Sequence, residues 1–167
     1  SERGATSFGF PTGPPDGYVR CVSGSPLQPG RFTPLPDGIE KDIATGLLFT
    51  RCAKGQDENN NCDGTPVQSL WADALSYCVN LSKGGYRWRL PAIHELEILL
   101  DNSGSIDKVH FPNAVVVTGG ELYWSSTTSS SSASSNALQI SFEGNGNYLG
   151  SHNKSSDTAA ARCVAGP

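Results

Sequence analysis

Cysteine is the residue type here with the widest chemical reach, since a thiolate can ligate metal, attack a carbonyl or pair as a disulfide. The chain has five: Cys21, Cys52, Cys62, Cys78 and Cys163. None forms a C-x-x-C pair. His94, His110 and His152 are far apart and not at zinc-finger spacing to any Cys. That pattern favours disulfides in an oxidising compartment over a structural zinc site. Cys52 and Cys62 bracket a polar loop and are placed to close it, a bridge worth about 3 kcal/mol. Pairing Cys78, in a predicted helix, with Cys163 would tie the first helix to the last strand, worth about 4–5 kcal/mol. Cys21 is left odd. In a secreted chain that points to a partner on another molecule or a free thiol, unless its partner lies in sequence beyond this segment.

The remaining candidate motifs are incomplete. His94-Glu95 begins a zinc-protease pattern, but the second His would fall at Ile98, so His94 is expected on a helix surface. There is no G-x-S-x-G elbow and no P-loop. Gly144-x-Gly146 reads as a hairpin turn. Asp57, Asn59, Asn61 and Asp63 alternate like the first half of a calcium loop, yet position six is Cys62 and position twelve Gln68. Polar residues in a tight disulfide loop account for the same letters. The expectation is no catalytic residue, no metal and no organic cofactor. Trp71, Trp88, Leu96 and Trp124 sit inside predicted elements and are expected in the core.

Residues 1–30 read as a flexible Gly/Pro-rich arm, followed by one domain over 31–167. The arm carries one short β-like run, Tyr18, Val19, Arg20, Cys21 and Val22, and residues 23–37 read as linker. Strands are expected at 39–42 and 47–51. A helix follows with Leu70, Trp71, Ala74, Leu75, Cys78 and Leu81 on one face and Ser69 as N-cap. A second helix starts at Pro91, with Ile93, Leu96, Leu99 and Leu100 as its apolar stripe and Gly104 as its stop. Strands are then expected at 115–117, 122–127, 137–142, 148–149 and 160–164. Residues 125–136 are low-complexity: a solvated loop, or an adaptable rim in which Ser126, Thr127, Thr128 and Asn136 would touch a ligand. Val19-Arg20-Cys21-Val22-Ser23-Gly24 also resembles Ala161-Arg162-Cys163-Val164-Ala165-Gly166. The first run is either the end of a preceding tandem domain or a strand able to occupy a similar slot in a neighbouring subunit.

Composition limits the function classes. With 167 residues the chain can bury a core, but 37% hydrophobic and 17% charged residues with 19 Gly and 11 Pro imply many loops around a modest one. A net charge of −4 provides no broad positive field for nucleic acid or anionic membrane. No apolar run approaches the ~20 residues of a membrane span. The chain starts at Ser1 and contains no Met, so it is expected to be a processed or excised segment whose signal peptide has been removed.

From Thr45 onward a set of short motifs recurs in a known order: Ala44-Thr45-Gly46-Leu47, Trp71-Ala72-Asp73-Ala74-Leu75 with Tyr77-Cys78, Gly84-Gly85-Tyr86-Arg87-Trp88-Arg89-Leu90-Pro91 with Glu95-Leu96, Phe111-Pro112, Tyr123-Trp124-Ser125-Ser126-Thr127 and Arg162-Cys163-Val164. By these motifs the chain resembles the C-terminal domain of Legionella collagen-like protein. The resemblance implies an α+β, C-type-lectin-like fold: two helices, a small twisted antiparallel sheet and long irregular loops. It also implies a Cys78–Cys163 bridge. Arg89-Leu90-Pro91 is similar to a helix start in formylglycine-generating enzymes of the same superfamily, but their catalytic cysteine pair has no counterpart here. The calcium-dependent sugar motifs of true C-type lectins are missing too, with Trp124-Ser125-Ser126 where a Trp-Asn-Asp would stand. The expected function is therefore a non-catalytic extracellular or cell-surface module. It would act by adhesion to surface glycans or matrix, by self-association through the N-terminal strand and Cys21, or purely as a filament subunit.

Overall fold

The computed structural model describes residues 31–101, 105–114, 122–142 and 149–166. The N-terminal arm with Cys21, the expected strand at 115–117, the Gly144-x-Gly146 turn, Tyr148 and the helix stop at Gly104 lie outside the described residues.

The chain enters through β1 (Phe32–Leu35), β2 (Ile39–Asp42) and β3 (Leu48–Thr50), then forms α1 (Trp71–Val79) and α2 (Ile93–Glu97). It continues through β4 (Leu122–Thr128), β5 (Asn136–Ser141), β6 (Leu149–Asn153) and β7 (Val164–Ala165). The fold is α+β and C-type-lectin-like. Its described strands form two antiparallel sheets, ordered β1-β2-β3-β7 and β4-β5-β6.

β1 lies where a linker was expected. Phe32 gives it a buried anchor, meeting Phe49 edge-on at 6.3 Å and Phe111 at 4.9 Å between ring centroids. The helices are shorter than the periodicity suggests. α1 starts after Leu70 rather than at a Ser69 cap, because the Ser69 backbone exchanges hydrogen bonds with Ala159 at 3.0 and 3.1 Å. α2 starts at Ile93, two residues after Pro91, whose carbonyl accepts the Ser126 N–H at 2.7 Å. The two ends of the expected serine loop are strand, since Ser125 to Thr128 belong to β4 and Asn136 opens β5, while 129–135 form the turn between them. The final strand is short because 159–163 weave between the two sheets. Ala160 bridges Tyr123, and the Cys163 carbonyl accepts Thr50 N–H at 3.0 Å.

Two apolar clusters fill the interior, and neighbouring residues serve opposite ones because strand side chains alternate. Phe49 and Tyr123 join Phe111, Phe142, Leu96, Leu99 and Ile140; Leu48 and Trp124 join Trp88, Leu90, Ala74, Cys78 and Cys163. Trp88, Leu96 and Trp124 are buried as expected. Trp71 is not: it is half-buried, its Nε1 donating to the Ser125 carbonyl at 2.8 Å and its ring capped by the Lys154 ammonium at 4.4 Å.

Candidate functional site

The domain's frame comes from its C-terminal segment. Cys52–Cys62 and Cys78–Cys163 are both disulfides, and all four residues are buried. Between the Cys163 staple and the second sheet lies Arg162, fully buried. One guanidinium nitrogen donates to the Thr50 and Arg51 carbonyls, and the group lies 5.0 Å from the Phe111 ring and 5.8 Å from that of Tyr123. Burial pushes its pKa down.

This frame holds open a groove of about 750 Å³ along the outer face of α1. One wall is the helix face carrying Asp73, Ser76, Tyr77 and Asn80, residues spaced three and four apart and therefore side by side. The opposite wall comprises Lys54 and residues 67–70, and Thr158 also lines the groove. Backbone bonds lock that wall: Lys54 N–H donates to Ala161 at 2.9 Å, and Val67 N–H to Lys54 at 2.7 Å. Gly55 permits the close approach, since with φ at +87° a Cβ there would lie 2.3 Å from the Val67 side chain.

Inside the groove the Lys54 ammonium sits 5.5 Å from the Tyr77 ring centroid. Burial and the charge of Glu58 push the Tyr77 hydroxyl pKa up, against a smaller opposing effect of Arg162, so Tyr77 is a neutral donor and acceptor at physiological pH. Lys54 and Asp73 bring opposite charges, and Gln68, Ser76, Asn80 and Thr158 bring amides and hydroxyls. An open groove with one aromatic face and mixed donors and acceptors suits a hydroxyl-rich ligand better than a highly charged one. The signal was present in sequence as the polar stripe of α1, but the apolar stripe of the same helix dominated the pattern.

The rim candidates have other duties. Thr127 Oγ1 accepts the Ile93 N–H at 3.0 Å, capping α2 where Ala92 has no side-chain acceptor. Asn136 Nδ2 donates to Ser151 Oγ at 3.2 Å, Ser126 N–H is held by Pro91, and Thr128 is exposed beside them at the end of β4. None of the four lines the α1 groove. Glu95, in the Arg89-Leu90-Pro91 region, is a buried strut. Both of its oxygens receive Arg89 at 2.6 and 2.7 Å, and one also receives Ala92 N–H at 2.8 Å. Burial pushes its pKa up, but these hydrogen bonds outweigh that and hold the carboxyl below its usual range.

The acidic loop folds on itself. Asp57 accepts Asn59 N–H at 3.0 Å, Asn60 donates to Asp63 at 3.3 Å, and Arg51 donates to Asn61 at 2.8 Å. His94 is exposed on α2, as expected. His110 lies 2.9 Å from Glu40, a buried carboxylate whose pKa is pushed up by burial beyond what His110 and Arg51 pull back.

The family model for the Lcl C-terminal domain matches residues 38–165, from β2 to the end of β7. The chain belongs to the Lcl C-terminal domain family. The family takes its name from the C-terminal domain of a surface-associated collagen-like protein. The match leaves β1 outside and includes both disulfides, both helices and every residue of the α1 groove. None of the curated proteins compared matches the chain.

Proposed function

We propose that this domain is a non-catalytic extracellular surface module that binds a hydroxyl-rich ligand, of the surface-glycan or matrix class, in the groove along α1. The observation that carries this is the groove's make-up: a neutral tyrosine under a lysine, flanked by amides and hydroxyls on a helix stapled by Cys78–Cys163. Ring and hydroxyl recognition by aromatic and mixed polar groups is how pockets gain orientation without strong charge. Two observations support the non-catalytic reading over a formylglycine-generating one. A reactive thiol must be reachable, whereas Cys52, Cys62, Cys78 and Cys163 are paired and buried. The sequence also carries no G-x-S-x-G elbow, and its zinc-protease pattern breaks at Ile98. Two disulfides support an oxidising location outside the cell, after loss of a signal peptide. Among the described residues no helix is long and apolar enough to cross a membrane.

Self-association through the N-terminal strand, with Cys21 as a covalent lock, is the second part of the proposal, and a purely structural filament subunit its limiting case. The likeness of residues 19–24 to 161–166 supports it. A glycan array probed with the full chain and with an Asp73→Ala/Asn80→Ala variant tests the binding role. We expect discrete bound glycans, lost in the variant. An array blank for the parent, or identical for both proteins, would refute the groove as the site.

A further inference from the structure

An added strand needs a sheet edge whose backbone groups are free, so the described edges can be compared one by one. β7 is closed: Val164 exchanges both of its bonds with Arg89, each at 2.9 Å. β4 is closed by Ala160, which accepts Trp124 N–H at 3.0 Å and donates to Leu122 at 2.9 Å, and by Pro91. On β1, the Ile43 N–H to Arg31 carbonyl bond fixes the ladder phase, so Phe32 and Pro34 turn their backbone outward. Pro34 has no N–H to offer there, the usual protection of a natural edge.

β6 differs. The Lys154 N–H to Ser135 carbonyl bond at 2.8 Å sets its phase, so Leu149, Ser151 and Asn153 face away from β5. Asn153 is occupied by Asp157, whose carboxylate accepts its N–H at 2.9 Å and whose N–H reaches its carbonyl at 3.0 Å. The outward N–H and C=O of Leu149 and Ser151 have no partner among the described residues. The strand carries no Lys, Pro, Asp or Glu. Leu149 is 46% exposed although it pairs with the fully buried Ile140, so the apolar surface runs to the edge uncovered.

We propose that the outer edge of β6 receives residues 18–22 of a second copy of this chain. The inference rests on the reading, given above, that this arm acts between molecules. Tyr18, Arg20 and Val22 alternate with Val19 and Cys21, so either face of the arm strand sets an apolar side chain beside Leu149. Arm and edge are different surfaces of one chain, so the contact is head-to-tail and extends unless its rotation closes a ring.

The test is sedimentation of full-length variants over a concentration series. Ser151→Pro removes an outward N–H that β5 does not use, and Leu149→Lys places a guarding charge on the same edge; near-UV circular dichroism of Trp124 checks the fold of each. Val19→Pro disables the arm instead. We expect each variant alone to need about tenfold or more higher concentration to assemble, as loss of two or three net backbone hydrogen bonds implies. A mixture of Val19→Pro, with an intact edge, and Ser151→Pro, with an intact arm, should stop at 1:1 heterodimers. Assembly of Ser151→Pro and Leu149→Lys like the parent, with Val19→Pro dissociated, would overturn β6 as the slot and leave the arm's role standing. A monomeric parent, or Val19→Pro assembling like the parent, would overturn the underlying reading as well.

Discussion

Removing the two disulfides one at a time should produce unequal losses, and the structure sets their ratio. Cys78 and Cys163 are 85 residues apart, Cys52 and Cys62 only 10. Restriction of the unfolded chain scales with the logarithm of that separation, giving about 4.6 kcal/mol for the long loop and about 2.7 kcal/mol for the short one. The native strap does not depend on the sulfurs alone. Val164 stays bonded to Arg89 at 2.9 Å in both directions, and Thr50 N–H to the Cys163 carbonyl at 3.0 Å. Cys78→Ala/Cys163→Ala should therefore keep the fold and lose stability chiefly through the freed unfolded state. For a chain of this size that is a fall in Tm of roughly 9–18 °C, against roughly 5–11 °C for Cys52→Ala/Cys62→Ala. Calorimetry of both double variants beside the parent makes the comparison. An equal or larger fall for the Cys52/Cys62 variant would refute the loop-entropy account.

Other outcomes follow from the same contacts. Trp88→Ala should cost about 3–5 kcal/mol by urea unfolding, because the ring is buried and its Nε1 donates to the Lys83 carbonyl at 2.9 Å; a variant as stable as the parent would place Trp88 outside the core. Glu95 and Asp42 are both held below their usual pKa: burial pushes each up, but hydrogen bonds from Arg89 and Ala92, and from Arg31 and Thr45, outweigh it. Their contribution is full above the unfolded value near pH 4 and is lost as pH falls through the lower folded values; Glu95→Gln should flatten that acid limb in a stability–pH series, and an unchanged limb would contradict it. Glu40 has the opposite sign, its pKa raised by burial. The parent should lose stability as pH rises through the range where the unfolded carboxyl ionises first, so Glu40→Gln should gain relative to the parent between pH 4 and neutrality, and a constant difference would count against that ordering.

The sequence made legible what local pattern controls. β2 falls on the expected residues, and both disulfides, the buried Trp124 and the α+β class followed from spacing and motif. The features that escaped depend on contacts distant in sequence. β1 looks like linker because its one buried apolar anchor, Phe32, finds its ring partners Phe49 and Phe111 far along the chain. Helix starts at Ser69 and Pro91 are good local choices overruled by backbone bonds to Ala159 and Ser126. Thr127 looked like a free loop hydroxyl because nothing local shows that Ala92, thirty-five positions earlier, leaves a helix end uncapped. The α1 groove needed the position of the opposite wall, fixed by Gly55 and the 159–161 segment, before its polar stripe acquired a partner surface.

The central claim, that the α1 groove is the ligand site, is tested most directly by backbone NMR of the full chain titrated with a glycan retained on the array. The groove account predicts saturating amide shifts at Lys54, residues 67–70, Asp73, Tyr77, Asn80 and Thr158. Shifts confined instead to Ser126, Thr128 and the 129–136 turn, with the α1 face unmoved, would contradict it.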